Sequence, residues 1–462
     1  MALSEGSHVA YEEASSAFEV LILLGHFGLP YTLASSSLIE SMAAGLLATG
    51  NKAAVVLTSD GSDAARSRQR SLSVSTLMMS CDQAPSFAAY QRARRLRIPL
   101  DDPSLKKPVP YWTSALDLHE TILKTGYFSS QRPKIVIVYP RDLILLAAGT
   151  MLAQSYGAYL CVCSSEAISE RTMDPEYIDL YLKMVTDNAD IIWAFSPKLA
   201  SFWLDKHSVS RERLFVSPPL VDQRWAETAE SLTQKECSAV FVGNLADTYW
   251  NELLAIASRA RDEIPDFTLR LFGDYPPALL QERKRELAQR GLERIVELRS
   301  AIAREQIPAE LRKAQVALIP RGRTIEHEFG FPNKLVEALA VGMPVVVGSS
   351  GDIDAYLTSG VDCELVAPED HGAYVTALKR VLTDRRYAQR LASSGQKQAL
   401  ACFGASNVMK RLLRQVDQEA IRTKVAWQPY GKGFVAYACS RSLKLARFHL
   451  GRLFGRQTRV HR

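Results

Sequence analysis

Short, wholly apolar runs alternate with longer segments of helical periodicity along most of this chain. FEVLILL (Phe18 to Leu24) has the length and composition of a buried strand, and GHFGLPY breaks it. SSSLIESMAAGLLATGN then sets Leu38, Met42 and Leu46 or Leu47 at helical spacing and stops at Gly50, before KAAVVLTS (Lys52 to Ser59) returns to a strand. Strand, glycine-bearing loop, helix and strand in that order open a doubly wound sheet. The stretch 61–110, rich in Ser, Arg and Gln, predicts loops and an irregular helix. The alternation resumes with PKIVIVYP (Pro133 to Pro140), a helical LILLAAGTMLAQSYG, AYLCVC (Ala158 to Cys163), ADIIWAFS (Ala189 to Ser196) and RLFVSPP (Arg213 to Pro219). Strands apolar on both faces require helices on both faces, so the sheet is parallel.

Pro218 and Pro219 cannot continue a central ladder, and PPLVD therefore marks a break. A second series begins at SAVFVGN (Ser238 to Asn244), followed by a helix through Trp250 to Ala260 and by FTLRLFGD (Phe267 to Asp274). RIVELR, VALIP, PVVVGS and CELVAP (Cys363 to Pro368) supply further strands, and from about Asp370 the chain reads as helices. The predicted organisation is α/β, with two Rossmann-like domains facing each other across a central cleft where the strands end. The first spans residues 1–218 and the second 219–410. A helical segment, 411–440, crosses back to the first domain and precedes a basic amphipathic tail, 441–462.

A chain of 462 residues with 47% hydrophobic and 23% charged residues can bury two full cores, which excludes a disordered or small disulfide-stapled protein. The net charge of +6 misleads, because Arg441 to Arg462 carries seven Lys or Arg and no acid, leaving the rest at −1. Positive charge is not spread along a channel, so nucleic acid is not the partner. The seven cysteines contain no CxxC, and Cys161 and Cys163 share a strand face as small hydrophobes. The N-terminus lacks an export pattern and no 18-residue apolar run occurs, so the expected location is cytoplasmic.

Chemistry concentrates between Glu326 and Asp354. VALIP reads as a strand, RGRTIEHEFGFP as a loop, NKLVEALAVG as a helix ending at Gly342, and PVVVGS as the next strand. The loop brings Lys334 and the N–H groups of a helix start to the strand ends, where an anion is favoured. Glu337 follows three residues later on about the same helix face. An ammonium beside a carboxylate suits a phosphate linked to a sugar with vicinal hydroxyls. The same spacing also fits a solvent-exposed helical ion pair.

The stretch EFGFPNKLVEALAVGMPVVVGSSGDIDAYLTSGVDCELVAPED resembles the nucleotide-sugar-binding segment of the retaining glycosyltransferases of GT-B fold, family 4. FVGNL, LRLFGD and SPPLVD extend the resemblance upstream, and GHFGLPY carries a fainter trace of it. The resemblance implies that Glu337 holds the ribose hydroxyls and that Asn333 and Lys334 lie near the diphosphate. It implies that Gly243 and Asn244 form the turn the diphosphate passes, and that Gly25 to Gly28 face donor and acceptor from the first domain. Where the family's first glutamate stands, with seven residues between it and the second, this chain has Phe329, with Glu328 and Glu326 just before it. Glu328 is the candidate to reach the donor sugar in its place. The family's basic residue beyond the glycine turn is absent, with Asp247, Thr248 and Tyr249 in that region, and Arg321 or Arg323 is the candidate replacement. His26, after the first strand, is a candidate contact to sugar or acceptor, and Glu166, after CVCSS, a candidate on the acceptor side.

The implied activity is transfer of a sugar from a nucleotide-sugar donor, a UDP- or GDP-sugar, to a glycan or lipid-linked acceptor with retention of configuration, in polysaccharide or glycolipid biosynthesis. No tightly bound cofactor and no metal are expected; the three residues Glu326, His327 and Glu328 on an extended loop would point in different directions. RSLKLARFHLGRLFGRQTRVHR would suit an anionic membrane surface, with the enzyme peripheral at the inner face of the cell membrane, or a solvated remnant after a packed helix. Two other readings remain open: a catalytically silent module of the same fold that binds nucleotide or glycan, and a nucleotide-sugar epimerase.

Overall fold

The apolar runs pair as parallel strands in two separate sheets. The computed structural model describes residues 20–27, 33–51, 53–59, 75–80, 111–124, 132–139, 143–165, 175–227, 238–243, 245, 247–273 and 275–419. In the first sheet the strands are β1 (Val20–Phe27), β2 (Ala53–Ser59), β3 (Ser75–Ser80), β4 (Ile135–Tyr139), β5 (Tyr159–Ser164), β6 (Ile191–Ala194) and β7 (Leu214–Val216), in the order β3-β2-β1-β4-β5-β6-β7. In the second they are β8 (Ser238–Val242), β9 (Thr268–Gly273), β10 (Val296–Ser300), β11 (Val316–Ile319), β12 (Val345–Gly348) and β13 (Glu364–Val366), in the order β10-β9-β8-β11-β12-β13. Strand order reverses between β1 and β4 and again between β8 and β11. Those two reversals leave crevices at the strand ends, where open α/β sheets take ligands.

Two local readings change. The stretch expected to hold loops and an irregular helix contains β3, paired with β2 from Ala54 with Ser75 to Ser59 with Ser80. STLMMS is six residues bounded by serines, and its pairing partner supplies what the local pattern lacks. β1 runs on to Phe27, so Gly25 and His26 belong to the strand and not to a loop after it. They fall where its register with β2 slips, between Leu24 and Phe27, and such irregularities re-aim side chains at strand ends.

In β8, Ala239 and Phe241 enter one core and Val240 with Val242 the core on the opposite face. That alternation, covered on both sides, is why SAVFV contains no polar position after Ser238. In the first sheet Cys161 and Cys163 are buried beside Trp193, and burial pushes both thiols above their ordinary value. The chain passes between the sheets twice, and the two passages are tied: Val221 N–H donates to Phe403 O at 2.9 Å and Ala405 N–H to Val221 O at 2.9 Å. The helix Ala405–Glu419 then places Val408, Met409, Leu412 and Val416 in the first sheet's core. Both sheets lie in the compact unit Met1–Asp417. Between the halves, Arg304 pairs with Glu40 and stacks 5.4 Å from the Trp225 ring. The tail 441–462 lies outside the described residues.

Candidate functional site

The second reversal point sets the ends of β8 and β11 side by side, and the helix Asn333–Ala340 starts near them. Leu335, Val336 and Leu339 bury that helix in one core, on the face of β8 opposite Phe241 and Tyr249. Lys334 reaches around the end of β8 to the other side. Its Nζ lies 3.9 Å from the Tyr249 ring centre and 4.5 Å from that of Phe241. Gly243 makes this passage possible: its φ is +151°, and a Cβ there would stand 3.2 Å from both Cε and Nζ of Lys334. No side chain caps the helix start at Pro332. An ammonium, an uncapped helix start and a glycine turn thus meet at one strand end, the arrangement an anion requires.

Arg321, at the end of β11, behaves differently. It is 2% exposed, and its guanidinium donates to the carbonyls of His327 and Gly330 and, at 3.0 Å, to Ser350 Oγ. Its backbone N–H donates to the buried Tyr374 hydroxyl at 3.3 Å. Gly351 permits this closure, since at φ +80° it approaches so closely that a Cβ would meet Gly330 O at 2.4 Å. Arg321 therefore fastens the loop after β11. Within that loop the predicted extended segment forms a helical turn, Ile325–Phe329, capped by Thr324 Oγ1, which accepts from His327 N–H at 3.2 Å. The turn folds His327 inward, to 7% exposure, where Nδ1 accepts from Gly322 N–H at 3.0 Å. Burial, with the charges of Arg321 and Lys334, lowers the imidazole to about 4, so it is neutral at physiological pH. Its ring meets Tyr249 at 5.0 Å. Burial alone would raise the Tyr249 phenol, but Lys334 and Arg321 outweigh it and hold the hydroxyl below its ordinary value.

The structure thus brings together Gly243, Lys334 and Arg321 among the predicted residues, with Asn333 and Glu337 half-buried on the same helix. The Glu328 carboxylate is exposed and lies 3.4 Å from Lys198 Nζ of the first half. Around that contact Ser196 Oγ donates to Phe329 O at 2.8 Å and Lys198 N–H to Asp352 at 2.6 Å. Phe329, in place of the expected glutamate, joins the two halves through its carbonyl and through its ring, 6.4 Å from Phe202. Arg323 is exposed. Gly25 and His26 are placed by backbone alone, whereas Asn244, Gly28 and Glu166 lie outside the described residues. Among the described residues no group of three His, Cys, Asp or Glu is placed to hold a metal ion, and no helix is long and apolar enough to cross a membrane.

Sequence reasoning gave no role to Tyr249 or Gly351 and weighed His327 only as a metal ligand. Thr324 followed by acidic residues was the available sign of the capped turn that buries His327. Tyr249 carried no such sign, being a single aromatic on the first turn of the helix Asp247–Glu263.

Residues 236–384 match the family described as Glycosyl transferases group 1. The chain is 29% identical over 224 residues to an MMP alpha-(1->4)-mannosyltransferase of Mycolicibacterium hassiacum, covering 48% of this chain and 53% of that protein. It is 30% identical over 151 residues to a GDP-mannose-dependent alpha-(1-6)-phosphatidylinositol monomannoside mannosyltransferase of Mycolicibacterium smegmatis, covering 32% and 39%. The chain thus spans about half or less of the length of the curated relatives it matches. Among solved structures, Anabaena Alr3699/HepE in complex with UDP and glucose superposes with a TM-score of 0.64 at 14% identity, over 87% of this chain and 99% of that one. The two facing Rossmann-like lobes are shared with it.

Proposed function

We propose that this chain, a GT-B fold whose residues 236–384 form a Glycosyl transferases group 1 domain, transfers a sugar from a nucleotide-sugar donor to an acceptor. The observation that carries the reading is Lys334, led across the end of β8 at Gly243 and held over Tyr249, one helical turn before Glu337. The donor diphosphate lies against Lys334 and the uncapped helix start, and Glu337 accepts from the ribose hydroxyls. The acceptor hydroxyl attacks the anomeric carbon while the bond to the diphosphate breaks. Negative charge grows on the leaving phosphate, and the fixed ammonium and helix dipole stabilise it most at that moment. Retention follows if the leaving phosphate oxygen takes the acceptor proton on the same face, and no protein base is then needed. Arg321 positions the loop after β11: its guanidinium is buried and turned to the His327 and Gly330 carbonyls, Ser350 Oγ and the Tyr249 hydroxyl, so Lys334 and not Arg321 is assigned to the phosphate.

The base is uracil or guanine, as named for the solved relative bound to UDP and the GDP-mannose-dependent relative. The acceptor is a glycan or a lipid-linked sugar. Seven basic residues among the apolar ones of 441–462 support a peripheral position on an anionic inner membrane face. The test is donor turnover: the full chain is incubated with UDP- and GDP-sugars, alone and with a lipid extract, and sugar release or transfer is measured. Transfer from one donor is expected. Glu337→Ala should keep its thermal unfolding midpoint and bind that donor at least about tenfold more weakly. Binding without hydrolysis or transfer under any donor and acceptor would instead identify a silent binding module.

A further inference from the structure

The turn after Gly243 brings no cation of its own. Position 249, on the first turn of the next helix, carries an aromatic ring there instead, and the ammonium arrives from a different element on the other face of the sheet. A lysine on a four-carbon stem has several rotamers, and at a strand end it needs something to define one. The Tyr249 ring does this. It is itself fixed on three sides, by Phe241 at 5.2 Å, by the His327 ring at 5.0 Å and by the Asp247–Glu263 helix from which it springs. The His327 ring is neutral and its Nδ1 is committed to Gly322, so it adds no competing charge beside the ammonium. Gly243 closes the arrangement from below, leaving room for the Lys334 stem and for no side chain.

Resting on the nucleotide-sugar reading, we infer that Tyr249 is a positioning residue: its ring face holds the Lys334 ammonium at the Gly243 turn, ready for the donor diphosphate. The pair replaces a basic residue on the turn itself. The ring provides the platform through the attraction of its π face for a cation, and the hydroxyl, hydrogen-bonded to Lys334 and to Arg321, adds to the hold.

The experiment is calorimetric titration of the full chain with UDP, GDP, uridine and guanosine, for wild type, Tyr249→Phe and Tyr249→Leu, with thermal unfolding of each. Tyr249→Leu should weaken the diphosphate by about tenfold while the matching nucleoside binds as to wild type. Tyr249→Phe, which keeps the ring and loses the hydroxyl's hydrogen bonds to Lys334 and Arg321, should weaken the diphosphate by less than Tyr249→Leu does. The split between nucleotide and nucleoside is the readout that general loosening of the fold would not produce. Equal weakening of both ligands by Tyr249→Leu, or none of either, overturns the positioning role and leaves the nucleotide-sugar reading standing. If wild type binds neither UDP nor GDP, the nucleotide-sugar reading falls and this inference falls with it.

Discussion

Two basic side chains stand at adjacent strand ends of the second sheet, and the protein uses them in opposite ways. Arg321, after β11, is buried, and its guanidinium bonds to its own loop, to Ser350 and to the Tyr249 hydroxyl. Lys334, beside the end of β8, is half-buried and rests on aromatic faces. A ring face attracts a cation without using its hydrogen-bond donors, and the bond to the Tyr249 hydroxyl leaves other ammonium donors, so Lys334 can still donate to an incoming phosphate. Residue type did not separate the two, since arginine forks suit phosphates at least as well as lysines do. An account of donors and acceptors separates them, because a guanidinium already satisfied by buried carbonyls has little left for a ligand.

The largest expected effect breaks the Arg321 side of this contrast. Arg321→Met should cost about 3 kcal/mol of stability in denaturant titration, because it leaves buried carbonyls without donors. Arg321→Lys should recover little, lacking the fork that spans His327 and Gly330. A variant that stays stable yet loses UDP or GDP binding would make Arg321 a ligand after all.

His327 sharpens the contrast through pH. The folded imidazole is held at about 4 against an ordinary 6.5. As pH falls from 6.5 to about 4, the unfolded state takes up a proton and the folded state does not, so stability declines across that window and levels below it. The contribution is about 2 kcal/mol after allowance for residual solvent screening. Asn can keep the acceptor for Gly322 N–H, so His327→Asn should remove this part of the pH dependence while folding at pH 7.5. Chemical denaturation at pH 7.5, 5.5 and 4.0 measures the difference, and parallel slopes in both proteins would place the titration elsewhere.

The smallest effect is expected at Lys198. Its contact with Glu328 is exposed on both sides, and Lys198→Ala should change the unfolding free energy by under about 1 kcal/mol. Ser196 and the backbone N–H of Lys198 still join the halves in that variant. A larger loss would mean that the pair itself fixes how the halves meet.

Much of this molecule was legible from the chain because parallel strands covered on both faces leave uninterrupted apolar runs such as SAVFV and IVIVY. β3 was not, since six residues bounded by serines depend on a neighbouring strand for their identity. Lys334 was legible because the stretch PNKLVE puts it at a helix start with Glu337 one turn on. The use of Arg321 was hidden for a physical reason: its acceptors are largely backbone carbonyls, which every residue has, and no side-chain pattern marks them. The contact of Glu328 was hidden by distance along the chain, as its partner Lys198 lies 130 residues earlier.

The central claim, that the donor diphosphate binds at Lys334, is tested most directly by a crystal structure of the full chain with UDP or GDP. Diphosphate oxygens are expected about 3 Å from Lys334 Nζ, with the ribose hydroxyls on Glu337 and the Arg321 bonds unchanged. A diphosphate seated on Arg323 or elsewhere, out of reach of Lys334, would contradict it.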